Sequence, residues 1–253
     1  MERHVDIGPS SSFSTSGFGL VAGPGGGVHG NGGSHAGAGG RLPCAIVTPP
    51  CCATGGAYYL GPTAGDAVNP LKDWSNAWGS GGGISGARGG GRINMTIGGT
   101  LTIGSRGFIS SDGAPTLTSN GGSGAGGVVV IRAKLVSGTG TISANGGPGS
   151  YTKALASGGG GRVAIEANTL AMDTTLISAA GGAAGASQEQ AQCLNGGAGT
   201  VFLAHTIPQT NETKAQQLRS LVVRGTIARC LGLLTGCPLL QPYPADIESC
   251  HSC

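Results

Sequence analysis

Eight cysteines, five histidines and three arginines that recur in or beside apolar strands are the residues of this 253-residue chain with the most chemistry to offer. Cys250 and Cys253 stand at the spacing of a zinc-ligand pair, but a structural zinc site takes four ligands and the sequence holds no second Cys-x-x-Cys. His29 and His35 lie in glycine-rich sequence without fixed geometry, which reads as solvated loop histidines rather than a metal pair. A nucleophile with its base would carry a Gly-x-Ser-x-Gly elbow, and a metalloprotease a His-Glu-x-x-His; neither is present. The glycine runs at 23–27 and 121–124 lack the Lys-Ser/Thr or the ribose-binding acid that turns such a run into a phosphate cradle. Arg92, Arg132 and Arg162 recur in or beside the first strands, whereas a polysaccharide lyase would need clustered aspartates with Arg or Lys on one face, and no aspartates keep step with them. Thr100-x-Thr102, Thr116-x-Thr118 and Thr139-x-Thr141 are too irregularly spaced for an ice-binding hydroxyl ladder. The expectation is a non-enzymatic chain with no catalytic residue, no cofactor and no metal.

Two sequons, Asn94-Met95-Thr96 and Asn211-Glu212-Thr213, offer glycan acceptors, with Asn211 favoured because it lies in a polar loop. Together with the even cysteine number they fit an oxidising, extracellular or cell-surface setting. Residues 1–22 contain no apolar signal core, so the expectation is a piece of a longer secreted protein. The longest apolar stretch, 230–240, is interrupted by Gly232, Gly236 and Pro238 and falls short of a membrane span. The net charge of +3 is scattered, with none of the basic stripe that nucleic acid requires.

What would position any site is a repeat. The chain has 53 glycines, only 4% aromatic and 10% charged residues, yet its apolar residues fall into short spaced runs. First strands begin at Ile93, Val129, Val163 and Val201, at intervals of 36, 34 and 38 residues. Second strands centre on Ile109, Ile142 and Ile177, at intervals of 33 and 35. Asp112-Gly113, Asn145-Gly146 and Gly181-Gly182 follow them as turn signals, which makes the glycines corners. Alternating strands bury one side chain in two, so one unit cannot close a core and copies must stack. This predicts an all-β, glycine-rich repeat β-solenoid or parallel β-helix, with an antiparallel sandwich or meander as the alternative. The expected division is a disordered segment 1–22, an N-terminal cap 23–79, the repeat domain 80–204, and a C-terminal cap and tail 205–253. Residues 213–224 read equally as a capping helix or a closing strand.

The stretch from 32 to 224, roughly three quarters of the chain, resembles the large glycine-rich extracellular proteins of plants and green algae. The motifs are Gly32-Gly33-Ser34-His35, Arg41-Leu42-Pro43-Cys44, Trp78-Gly79-Ser80-Gly81-Gly82, Arg92-Ile93, Gly124-Ala125-Gly126-Gly127, Gly138 to Ala144, Arg162-Val163, and Cys193 before Gly197-Ala198-Gly199-Thr200. Cys51-Cys52 and the chain after Arg224 depart from the pattern, although Cys250-His251-Ser252-Cys253 is similar to the opening of the ephrin-receptor-like cysteine-rich module of some relatives. The resemblance implies a cell-surface or wall-associated structural role without a mechanism, and it pairs Cys44 with Cys193 as a disulfide. The expected function is a structural or adhesive module that meets other copies or modules of the same protein or wall polysaccharide. The alternatives are a carbohydrate-active enzyme and a partial gene product without independent function.

Overall fold

The computed structural model describes residues 3–23, 25–27, 30–40, 78–83, 86–116, 121–150, 155–184, 194–207 and 216–222. Among the described residues eleven strands run in chain order: β1 Val5–Ile7, β2 Ser12–Ser14, β3 Arg92–Thr96, β4 Thr100–Ile103, β5 Phe108–Ser110, β6 Val128–Gly138, β7 Thr141–Ser143, β8 Arg162–Ala171, β9 Ile177–Ser178, β10 Thr200–Ile207 and β11 Gln216–Val222. β-Branched residues lead them, as in Val128-Val129-Val130-Ile131 of β6.

The large sheet has the order β1-β4-β6-β8-β10-β11, with β3 also on β6. β3 and β4 lie end to end along the same side of β6, one against Val128–Arg132 and the other against Leu135–Gly138. The break between them falls at Gly98-Gly99, where the Lys134 N–H donates to the Gly99 carbonyl at 2.9 Å. The small sheet has the order β2-β5-β7-β9. Every pair is parallel except β10 with β11, so 216–222 is the closing strand and not the helix.

The main core lies between the sheets. Ile109, Ile142 and Ile177 are successive register partners with at most 1% exposure, facing Ile93, Val129, Val163 and Val201 of the large sheet. At about 25 cal/mol per Å², each such aliphatic side chain contributes about 1.5–3 kcal/mol.

This arrangement corrects the solenoid expectation and its meander alternative. A solenoid has one interior, but the large sheet is buried on both faces: Val128, Val130, Ala164, Phe202 and Ala204 form a second apolar cluster on the side away from the small sheet. The fold is a mixed, parallel-strand arrangement of two sheets, buried as the sheets of α/β proteins are, with almost no helix among the described residues. The antiparallel alternative fails because only β10 and β11 pair that way among the strands.

The glycines are not corners either. Among the described glycines a left-handed φ occurs only at Gly17, Gly23, Gly30 and Gly138, and at none of the three expected turns. The runs leave the ends of β5, β7 and β9 and return to the starts of β6, β8 and β10, forming a lobe of extended chain beyond the strand ends. Ser123 and Gly126 donate to Ala156 and Gly159; Gly124 and Gly127 donate to Ala114 and Ser111; Ala125 donates to Ser80, all at 2.7–3.0 Å. The next run repeats this, with Ser157 and Gly160 bonded to Leu194 and Gly197, Gly158 and Gly161 to Gly147 and Ala144, and Gly159 to Gly33. Every third residue serves the same neighbour, the period of a polyproline II helix, which has three residues per turn and no hydrogen bonds of its own. Such chains approach closely only without side chains: a Cβ on Gly158 would fall on the Gly124 carbonyl.

Residues 3–23, where the sequence suggested disorder, form the outermost layer. β1 pairs with β4, β2 with β5, and Gly19 and Leu20 donate to the carbonyls of Gly89 and Gly79. Their backbone groups find partners in a preformed edge, which composition alone does not reveal.

Candidate functional site

Polar side chains cluster where the small sheet meets the glycine lobe. Ser14, Ser110, Ser143 and Ser178 stand at equivalent positions of β2, β5, β7 and β9, and two residues after each come Ser16, Asp112, Asn145 and Ala180. Ser16 Oγ accepts the Asp112 N–H at 2.9 Å and donates to Ser110 Oγ at 3.1 Å. Asp112 makes the corresponding contacts one layer on with the hydroxyl bond reversed, accepting the Asn145 N–H at 2.6 Å and the Ser143 hydroxyl at 3.0 Å. Asn145 does so again, with its Oδ1 accepting the Ala180 N–H at 2.8 Å and the Ser178 hydroxyl at 2.7 Å. Burial pushes the Asp112 carboxyl above its ordinary value, against the Asn145 N–H and Ser143 hydroxyl that favour the charged form. Sequence reasoning took Asp112 and Asn145 for turn residues; the missed signal was Ser-x-Asp/Asn recurring at the strand interval.

The strap 30–40 threads the glycine lobe, with Gly33 and Gly37 donating to Ser123 and Gly160, and Ala38 accepting from Gly197. At its centre His35 is fully buried, which corrects the solvated-loop expectation. Its Nδ1 lies 2.8 Å from the Gly126 carbonyl, and since a carbonyl only accepts, Nδ1 carries the proton. Burial, reinforced by the charge of Arg162, lowers its pKa to about 4. Arg162, itself 2% exposed, opens β8 between Val128 and Thr200 of the flanking strands. The second expected arginine, Arg132, sits on the partly exposed half of β6, 3.5 Å from Glu166 and 3.4 Å from Asn94 Oδ1. Arg92 is half-buried at the start of β3. Arg92 and Arg162 therefore flank Val128 on the outer face of the large sheet, while Arg132 lies four residues further along that face with its own partners, so the three do not gather into one cluster.

A shallow groove runs over the strand break, lined by Thr96, Gly98, Arg132, Lys134, Glu166 and Asn168 among others. It brings together three ionisable groups but a single carboxylate, held beside Arg132, so it offers no acid and base pair of carboxyls. No group of three or more His, Cys, Asp or Glu residues arranged for a metal occurs among the described residues.

Of the other sequence-derived sites, Asn94 is exposed on β3 with Thr96 exposed beside it, so the sequon faces solvent. Asn211, His29, Cys44, Cys193 and the other six cysteines lie outside the described residues. No helix among the described residues is long and apolar enough to cross a membrane. No family model, curated protein or solved structure matches the chain.

Proposed function

We propose that this chain is a non-enzymatic extracellular structural or adhesive module, acting within a cell-surface or matrix assembly through other copies and wall polysaccharide. The observation that carries the reading is the use made of the interior polar groups. Ser16, Asp112 and Asn145 each accept a main-chain N–H of the next layer and bond to a serine hydroxyl of that layer, and the glycine lobe links its segments through the main chain. Such fully engaged networks rigidify a scaffold. The exposed sequon at Asn94 supports passage through a secretory compartment, and the expected disulfide of Cys44 with Cys193 belongs to the same setting.

The test is to secrete the chain from a eukaryotic host and measure two things. A glycan lost in Asn94→Gln and retention on insoluble wall polysaccharide support the module; an unglycosylated chain that stays wholly in the supernatant overturns it. A carbohydrate-active enzyme is the second reading, favoured by the groove that holds Arg132, Lys134 and Glu166. Polysaccharide cleavage that disappears in Glu166→Gln would establish it.

A further inference from the structure

The two ends of the layered core are built differently. At the far end Ile177 is 1% exposed, Val201 3% and Leu203 4%, and the large sheet closes with antiparallel β11. At the near end the core stops in the open. Val5 pairs with Leu101 and Phe13 with Ile109, so both extend inward-facing files whose next two members, Leu101 and Val136 in one and Ile109 and Ile142 in the other, are fully buried, yet they are 36% and 49% exposed. Phe18, Leu20 and Val21 of the same layer are also exposed, at 69%, 38% and 58%. Five of the seven large exposed apolar side chains among the described residues therefore come from this one layer.

The main chain is open here too. The Phe108 N–H donates to the Ser11 carbonyl and the Thr15 N–H to the Ser110 carbonyl, so the odd-numbered residues of β2 face β5. In a parallel ladder the main-chain groups of Ser12 and Ser14 then point to the free edge. Neither β1 nor β2 has a second strand partner among the described residues. Two open edges with an unfinished core between them form a template for strand addition.

We propose that this end is a self-association surface, on which a second copy of the chain docks head to head about a two-fold axis. This rests on the module reading and names its partner contact. Head-to-tail stacking is disfavoured because the far end, although β9 and β11 are also edge strands among the described residues, already buries Ile177, Val201 and Leu203, whereas two near ends supply each other with the missing apolar layer. An antiparallel β1–β1 register centred on Val5 sets His4 of each copy opposite Asp6 of the other and Val5 opposite Val5, with no like charges facing each other. The edge lacks the usual protection: β2 is Ser12-Phe13-Ser14, with no charge and no proline.

The experiment is light scattering on the full chain across a concentration series, with the variants Phe13→Lys and Val5→Lys and the control Asn168→Lys on β8. The expected result is a dimer for the native chain and the control, and a monomer that still melts cooperatively, at a midpoint independent of concentration, for the two edge variants. A native chain that stays monomeric at high micromolar concentration overturns the proposal, and so does a dimer that survives both edge variants. Polysaccharide retention, measured in parallel, separates the two readings: loss of dimer with retention intact leaves the module standing, and loss of retention in a chain that still dimerises removes the module alone.

Discussion

The strand core and the glycine lobe solve the same packing problem with opposite materials. Between the sheets, large side chains such as Ile109, Ile142 and Ile177 fill the space and the main chains stay one strand spacing apart. In the lobe, Gly124, Gly126, Gly158 and Gly161 bring main chains into direct contact, and carbonyls occupy the space where side chains would stand. One region is specified by what its side chains add, the other by their absence. A substitution of one kind should therefore have opposite signs in different parts of one molecule.

The largest effect is expected in the strand core. Ile142→Asp places a carboxylate in a fully buried file and should cost more than about 4 kcal/mol, abolishing a cooperative melt. An unchanged midpoint would show that the files do not share one core. In the lobe, Gly158→Ala drives a methyl group into the Gly124 carbonyl and should cost about 3 kcal/mol in a denaturant titration.

The strap sharpens the contrast through pH. His35 stays neutral in the folded chain down to about pH 4, whereas the unfolded chain takes up a proton near 6.5. Between those values the unfolded state holds the extra proton, so stability is complete above pH 6.5, falls as the pH drops toward 4, and levels off below. The loss should reach about 3 kcal/mol, and His35→Gln, which can still donate to the Gly126 carbonyl, should flatten the profile.

Asp112 works with the other sign, because its raised folded pKa lets the folded state keep a proton longer, so its penalty appears as pH rises through that pKa. Asp112→Asn, which copies the residue used one layer on at Asn145, should raise stability at neutral pH by about 1 kcal/mol, with the gain fading in acid. The smallest expected effect is Gly98→Ala. No atom lies within 4 Å of the added carbon there, so a gain of about 0.5 kcal/mol should replace the loss seen at Gly158. Equal effects at the two glycines would erase the distinction between the regions.

Strand positions were legible because Ile93, Val129, Val163 and Val201 recur within alternating runs, and burial follows apolar pattern closely. The second buried face of the large sheet was not, since Ala164 and Phe202 each interrupt that alternation only once. Glycine-rich sequence gave no hint of its order because main-chain contacts leave no side-chain signature; only the three-residue donor rhythm reveals it. His35 looked like a loop residue for the same reason, as its neighbours in sequence are small and its burial comes from segments 90 and more residues away. The ladder of Ser16, Asp112 and Asn145 was hidden behind the ordinary association of Asp-Gly and Asn-Gly with turns.

The ladder also bears on how such a gene could change length. The Asp112 N–H donates to Ser16 and its carboxylate accepts the Asn145 N–H, just as the Asn145 N–H donates to Asp112 and its Oδ1 accepts the Ala180 N–H, so a duplicated stretch of 33 residues starting at Asp112 would find its required acceptors and donors on both sides. Unequal recombination could thus lengthen or shorten the chain by whole units while leaving every junction chemically familiar.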